Sequence, residues 1–107
     1  MAKTLLLVWS TPASAEVEDE FNRWYAETHI PEVRAAVPSI TVVNRYRLHS
    51  SLAGLPEAPR YLTVYEVDDA DVDAASALLY GSLGSTTQTD TIDMTGNPPS
   101  IEWYRHL

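Results

Sequence analysis

Among the side chains of this sequence, that of His29 has the neighbouring residues best suited to acid–base chemistry. Residues 21–33 contain Trp24 and Tyr25 before His29, and Pro31 follows two positions after it. On a helix, the aromatic residues form one stripe and His29 lies at its edge, at the rim of whatever the helix covers. A neutral imidazole can take a proton from carbon or oxygen and return it elsewhere. We therefore predict that His29 is a catalytic acid or base.

Pro31 sets the expected electrostatics of that histidine. Because proline disfavours helical geometry at the residue before it, the sequence predicts that the first helix ends at about His29. The negative end of the helix dipole would then favour imidazolium, and the ring would titrate near neutral pH. A histidine there can also simply hydrogen-bond the last carbonyl groups. A structural role and a pocket role both remain open.

Aromatic residues are abundant for a chain of this size, and tryptophan and tyrosine combine an apolar body with a polar group. A subset could line an apolar pocket, where a phenol or an indole would orient a carbonyl or phenolate. Packing in the core or at a dimer interface is the alternative for any one of them. An aromatic or cyclic ligand would fit best. The predicted substrate-binding residues are Trp24, Tyr25, Asn44, Tyr46, Tyr65, Tyr80 and Trp103.

Other polar residues are assigned from strand alternation and loop position. Asn44 and Tyr46 share one face of a predicted strand, which could be the face covered by helices. Arg45 and Arg47 would then lie on the opposite face, towards a second copy of the chain or towards solvent. Glu66 shares a face with aliphatic residues, where a carboxylate costs free energy unless it is paired. An ion pair or the orientation of a pocket residue would explain it. Asp90 and Asp93 are predicted to be caps or solvated residues of a long loop.

Composition excludes several classes of function. With seven basic and fifteen acidic residues the net charge is −8, which opposes binding to nucleic acid or to an anionic membrane. Cysteine is absent, so disulfides, thiolate metal sites and thiol nucleophiles are excluded. The three histidines lie on separate predicted elements, and we expect no metal and no other cofactor. No phosphate-binding glycine loop or nucleophile elbow is present.

The size of the chain and its apolar runs predict one soluble domain. The 107 residues suffice for a single domain over 1–107 with a core of its own. The longest apolar run, at 5–9, is far too short to cross a bilayer. We therefore expect a soluble, cytoplasmic protein.

Hydrophobic periodicity and turn residues predict six main elements. Two helical segments are expected to precede the second strand, the second of them opened by Pro31 because proline suits a first helical position. The predicted strands cover 3–9, 40–49, 61–67 and 101–107; the helices cover about 14–29, 31–36 and 70–83; a long loop covers 84–100, with one short helical turn near 91–94.

The order β, α, β, β, α, β predicts an α+β fold with a four-stranded antiparallel sheet. Two right-handed crossovers place both helices on one face of that sheet. The other face then needs cover, which the sheet of a second copy would supply. We therefore expect a homodimer.

A family resemblance rests on this order and on residues of one helix and two strands. The sequence resembles the dimeric α/β-barrel superfamily in Phe21-x-x-Trp24-Tyr25-x-x-x-His29-x-Pro31, Arg45-Tyr46-Arg47 and Arg60-Tyr61-Leu62-x-x-Tyr65-Glu66-Val67, and its EthD-like branch in the Trp-x-x-x-x-His-x-Pro portion. This resemblance implies a ferredoxin-like βαββαβ protomer whose sheet packs against that of a second protomer to form an α/β barrel, with a pocket between sheet and helices in each subunit.

The resemblance does not name the reaction, because the superfamily includes polyketide cyclases, isomerases, cofactor-free monooxygenases and haem-handling enzymes. The cyclase branch with a His-Pro-x-x-His segment near the end of its second helix has no equivalent here, since residues 80–83 contain no histidine. For haem, His29 is the only candidate axial ligand.

Three functions remain as hypotheses. The first is cofactor-free acid–base chemistry, by an isomerase, cyclase or lyase, on a small cyclic or aromatic carbonyl compound, with His29 as the acid or base. The second is a cofactor-free monooxygenase acting on phenols. The third is a noncatalytic ligand-binding or accessory protein.

Overall fold

Four antiparallel strands form one sheet. The computed structural model describes residues 2–56 and 58–107. The strands are β1 (Thr4–Ser10), β2 (Ile40–Arg47), β3 (Tyr61–Val67) and β4 (Ser100–Arg105), and they lie in the order β2-β3-β1-β4. β1 is central, with Leu6 opposite Tyr65 of β3 and opposite Trp103 of β4. The α+β class and the ferredoxin-like order are confirmed.

The first helical stretch runs without a break from 15 to 36. A 3₁₀ turn (Ala15–Val17) leads into α1 (Glu18–Trp24), a π-helical turn (Tyr25–His29) and α2 (Ile30–Ala36). His29 and Ile30 both have right-handed helical dihedral angles. The prediction that this helix ends at His29 is therefore wrong.

The π-helical turn explains how the helix passes Pro31. The N–H group of Ile30 donates to the carbonyl oxygen of Tyr25, five residues back. Proline has no N–H group, and its ring crowds the carbonyl four residues before it. A turn widened by one residue gives that ring room, and such turns often occur at functional sites. Pro31 does open α2, as predicted.

A β-bulge in β2 reverses the expected faces of that strand. Ile40 pairs with Val67 and Val42 pairs with Glu66, so Thr41 is an extra residue on β2. Ile40 and Val43 both pack on the helix side as a result.

The bulge places Asn44 and Tyr46 on the side away from the helices, where they lie opposite Val64 and Leu62 of β3. Arg45 faces the helices instead, so the predicted orientations of these three residues are wrong. The prediction assumed strict alternation of side chains along β2, and the extra residue Thr41 shifts every later residue to the opposite face.

The core lies between the sheet and the helices in two clusters. The first includes Leu6 and Tyr65 and packs under α2 and α3 (Val72–Ser82). The second consists of Phe21, Tyr25 and Tyr61 under α1 and the π-helical turn. On the opposite face, half-buried aliphatic side chains of β1 and β3 alternate with these core residues. Dimerisation through that face stays a prediction.

Glu66 lies on this open face, as predicted. Among residues 2–56 and 58–107 no cation forms an ion pair with it; the two ion pairs found there are Lys3–Asp68 and Arg47–Glu18.

The loop after α3 is attached to the end of β1. A 3₁₀ turn (Leu83–Ser85) follows α3 directly. Ile92 forms an isolated β-bridge with Pro12, and the N–H group of Ala13 donates to the carbonyl oxygen of Thr91 at 2.6 Å. The helical turn predicted near 91–94 is therefore wrong in position.

Within the described chain, no helix has both the length and the apolar character needed to cross a membrane.

The carboxylate of Asp93 holds this loop in shape, as its predicted capping role requires. It accepts hydrogen bonds from the N–H groups of Thr95, Gly96 and Asn97 at 3.0, 3.0 and 2.8 Å. These donors, that of Thr95 first, lower the pKa of the Asp93 carboxyl.

Candidate functional site

A cavity of about 390 Å³ lies between the sheet, the helices and the loop 86–99, which we call the cover loop. Its lining is mostly apolar, with a few polar groups, as in small-molecule sites. The lining residues are Leu6, Val8, Ser10, Trp24, Tyr25, His29, Val33, Tyr65, Leu79, Leu83, Thr86, Thr87, Gln88, Thr89, Ile92, Met94, Pro98, Pro99 and Ile101.

Four of the predicted site residues line this cavity together. Trp24, Tyr25 and His29 come from the end of α1 and the π-helical turn, and Tyr65 comes from β3 below them. Their proximity agrees with a pocket between sheet and helices. Their roles in binding or catalysis stay predictions.

The other four predicted residues lie outside the cavity. Asn44 and Tyr46 are on the open face of the sheet. The indole N–H group of Trp103 lies 3.2 Å from the hydroxyl of Tyr80, to which it donates, and Trp103 borders a separate depression beside 70–73. Asn44 and Tyr46 were predicted on the wrong face of β2, and the sequence gives no distance between Trp103 or Tyr80 and the pocket.

The His29 ring is held between two aromatic rings. It stacks on Trp24 with a centroid distance of 4.7 Å and an interplanar angle of 21°, and meets Tyr25 edge to face at 4.9 Å. Its Nδ1 atom is buried and has no hydrogen-bond partner among the described residues. The ring is therefore positioned by stacking and is not tied to a carbonyl group.

Burial lowers the pKa of His29, and the nearby Arg45 cation lowers it further, while Glu32 opposes both. The sequence predicted the opposite, because it placed the ring at a helix C-terminus. Since the helix continues to Ala36, His29 does not lie at a helix C-terminus, and the helix dipole does not stabilise the imidazolium there. The imidazole is accordingly neutral at pH 7, which is the form that accepts a proton.

This shift predicts a loss of stability on mild acidification. The pKa of His29 is lower in the folded state than its ordinary value of 6.5, so the unfolded chain binds more protons. The stabilising contribution is fully present above pH 6.5 and is lost as the pH falls through the folded-state pKa. Urea unfolding of the wild type and of His29→Gln between pH 7.5 and 5 measures it.

His29→Gln should show the weaker pH dependence in that range. Glu18 and Glu32, whose carboxyl pKa values are lowered from 4.5, add their own loss of stability only at lower pH. Equal pH dependence of the two proteins would contradict the buried neutral imidazole.

Arg45 is the residue near the site that the sequence missed. Its guanidinium carbon lies 4.3 Å from the ring centroid of Tyr25, 4.9 Å from that of Tyr61 and 5.5 Å from that of Phe21. Nη1 donates to the side-chain oxygen of Asn22 at 3.0 Å, whereas Nε and Nη2 are buried without a partner in the described chain. Burial lowers the pKa of this guanidinium. Only the bulge, which the sequence does not reveal, directs Arg45 to this side.

Arg47 also faces the helices, contrary to the prediction. Its Nε atom donates to the carboxylate of Glu18 at 2.9 Å, and the hydroxyl of Tyr61 donates to the same oxygen. These bonds, that from Tyr61 first, lower the pKa of Glu18. They fasten the start of α1 to the sheet.

Glu32 fastens the cover loop beside His29. Its two carboxylate oxygens accept the N–H group of Thr87 at 2.8 and 3.2 Å. Hydrogen bonding by Thr87, from its side chain first and from its N–H group second, lowers the pKa of Glu32, so the contact is made by the charged carboxylate. In the described part of the chain, no group of three or more His, Asp or Glu side chains could hold a metal ion.

Comparisons with known proteins agree with this architecture. The sequence model of the EthD domain matches residues 15–93. A crystal structure of an ethyl tert-butyl ether D (EthD) family protein from Bacillus halodurans is similar with a TM-score of 0.54 and 14% identity, over 97% of this chain and 99% of that one. The crystal structure of HapK from Hahella chejuensis is similar with a TM-score of 0.52 and 14% identity, over 97% and 92%. No curated protein matches the sequence significantly.

Proposed function

Because this chain belongs to the EthD family, we propose that it is a small-molecule enzyme in which His29 performs acid–base chemistry on a cyclic or aromatic carbonyl compound. One observation carries the proposal. The ring of His29 lines an apolar cavity and is held by stacking, and its Nδ1 atom has no hydrogen-bond partner in the described chain.

The chemistry follows from what such a ring can do. Neutral imidazole removes a proton from the carbon next to a carbonyl group, which leaves an enolate and an imidazolium. The imidazolium then returns the proton to another carbon or to an oxygen atom. Isomerisation, cyclisation, dehydration and lyase-type cleavage all use this pair of steps, and none of them requires a cofactor.

The lowered pKa of His29 suits the second step. Burial disfavours the imidazolium, so the protonated ring gives up its proton readily inside the cavity. A noncatalytic binding protein would not need a cavity-lining imidazole whose Nδ1 atom has no hydrogen-bond partner in the described chain. We further propose that the enzyme works as a homodimer through the open sheet face.

Proton exchange tests the proposal directly, because it follows the first step of the chemistry whatever product forms afterwards. A panel of cyclic ketones that includes 1-tetralone is incubated with the protein in D₂O, and loss of the signal from the hydrogen next to the carbonyl is followed by NMR. We expect the wild type to exchange at least one ketone about 100-fold faster than His29→Gln. His49→Gln, changed at an exposed position outside the cavity, should match the wild type.

Oxygen distinguishes this chemistry from phenol oxidation. Exchange under argon should proceed at the rate measured in air, because the proton transfer consumes no oxidant. If His29→Gln exchanges every ketone as fast as the wild type, or if neither exceeds the buffer rate, the assignment of His29 as acid or base is wrong.

A further inference from the structure

Four hydroxyl groups meet at the sheet side of the cavity. Ser10 ends β1, Thr63 and Tyr65 lie on β3, and Tyr25 reaches down from the π-helical turn. The hydroxyl of Tyr25 lies close to those of Thr63, Ser10 and Tyr65. Ser10, Tyr25 and Tyr65 line the cavity.

Three of these hydroxyls have no partner in the described chain other than the Tyr25 hydroxyl beside them. The oxygen atoms of Ser10, Thr63 and Tyr65 are all buried, and none bonds to a group of residues 2–56 and 58–107 outside this cluster. The three residues are at most 1% exposed. Buried hydroxyls in folded proteins are almost always hydrogen-bonded, and unused donors and acceptors cost free energy. One tyrosine hydroxyl cannot satisfy three others, so a polar atom of a ligand in the cavity would complete the bonds of the cluster.

The rest of the lining is arranged for an apolar body. Leu6, Val8, Val33 and Leu79 form the walls next to the hydroxyls, and the cover loop adds Ile92. The cavity is thus polar at one place and apolar around it. A ring with one oxygen substituent matches that distribution.

We propose that Ser10, Tyr25 and Tyr65, supported by Thr63, form a subsite that binds one uncharged oxygen atom of the ligand, a ring carbonyl or a phenol. The inference rests on the proposed function, in that it takes this cavity as the substrate site, and it names the part of the substrate that enters first. It adds Ser10 to the binding residues.

The charges around the subsite favour an uncharged oxygen over a carboxylate. No lysine or arginine of the described chain lines the cavity. Arg45, whose guanidinium carbon lies 4.3 Å from the ring centroid of Tyr25, is not a lining residue. A carboxylate in the cavity would therefore have hydroxyl donors but no cation in direct contact, which is costly in a dry site. Burial raises the pKa of the Tyr25 and Tyr65 phenols, so both keep their protons and can donate to a carbonyl oxygen.

A pair of probes that differ by one oxygen atom tests the subsite. The dissociation constants of 1-naphthol and naphthalene are measured by equilibrium dialysis with the full chain. A hydrogen bond of ordinary net strength predicts that the wild type binds 1-naphthol about 3–10-fold more tightly than naphthalene. In Tyr65→Phe and in Ser10→Ala this ratio should fall towards one, while the affinity for naphthalene stays within about twofold of the wild type.

Ser76→Ala serves as the matched control for Ser10→Ala, because it removes a hydroxyl of α3 that lies outside the cavity and away from the open face of the sheet. It should keep the wild-type ratio. A mutation that only loosened the cavity would weaken both probes equally, so the ratio separates binding of the oxygen from packing. An unchanged ratio in Tyr65→Phe and Ser10→Ala, or no preference for 1-naphthol in the wild type, overturns the proposal.

His29→Gln distinguishes failure of the subsite from failure of the proposed function. With an intact subsite, His29→Gln should still prefer 1-naphthol, whether or not the ketone exchange depends on His29. If the exchange depends on His29 while the naphthol preference is missing, the subsite alone is rejected.

Discussion

Replacing Phe21 with alanine is expected to lower the free energy of unfolding by about 3–5 kcal/mol. The ring is fully buried, and its centroid lies 5.6 Å from that of Tyr25 and 5.5 Å from that of Tyr61. Alanine would leave a cavity bounded by these two rings and by the guanidinium of Arg45. The loss is a large part of the roughly 5–15 kcal/mol that usually stabilises a domain.

Urea unfolding and thermal unfolding measure this effect. The melting temperature should fall by at least about 12 °C. Leu52→Ala is the control, because Leu52 is fully exposed and its truncation should change stability by no more than about 0.5 kcal/mol. A loss below about 1.5 kcal/mol in Phe21→Ala would contradict the packing of the second cluster.

The same substitution links the core to the candidate site. Phe21 supports the ring of Tyr25, and Tyr25 in turn meets His29 edge to face. Stability and the position of His29 therefore depend on one chain of aromatic contacts. This arrangement explains why the aromatic stripe and the histidine occur in one helix.

The type and order of the elements could be predicted from sequence because they depend on local patterns. The apolar run of β1, the alternation of β3 and the helical spacing of α3 each identify an element without reference to its neighbours. The aromatic residues and the histidine of 21–31, together with the motifs of two strands, then indicated the family. Trp24, Tyr25, His29 and Tyr65 were predicted as site residues, and the structure brings them together.

The features that could not be predicted from the sequence depend on how the strands pair and on the local geometry of the helix. Thr41 looks like any strand residue, and only its place opposite β3 reveals the bulge that directs Arg45 to the helices. Pro31 normally marks a helix boundary, and only the wider turn at 25–29 shows how the helix continues. Ser10 was not predicted as a site residue because its proposed role depends on its proximity to the hydroxyls of β3 and of Tyr25, which arises only in the folded chain.

The second large effect concerns Arg45, for which two substitutions should differ in their consequences. Arg45→Ala is expected to lower the free energy of unfolding by about 2–4 kcal/mol, because it empties the space beneath three aromatic rings. Arg45→Met keeps an apolar chain of similar length and should stay within about 1 kcal/mol of the wild type. Urea unfolding of both variants measures the difference.

The direction of the pKa shift supports this contrast. Burial lowers the pKa of Arg45, which means that desolvation penalises the cation in the folded protein. Removal of the charge therefore removes a cost, whereas removal of the side chain removes packing. Arg23→Met, at an exposed position, controls for the loss of one positive charge. If Arg45→Met were as unstable as Arg45→Ala, the cation itself would be stabilising.

If Arg45→Met is as stable as predicted, the charge of Arg45 acts on something other than stability, and we expect that to be the pKa of His29. The Arg45 cation lowers the pKa of His29, so Arg45→Met should raise that pKa towards the ordinary value of 6.5. NMR titration of the His29 ring in both proteins measures the change directly. A rise would show that β2, through its bulge, supplies the charge that keeps the imidazole neutral. An unchanged titration would show that burial alone sets it, and the orientation of Arg45 would then serve packing only.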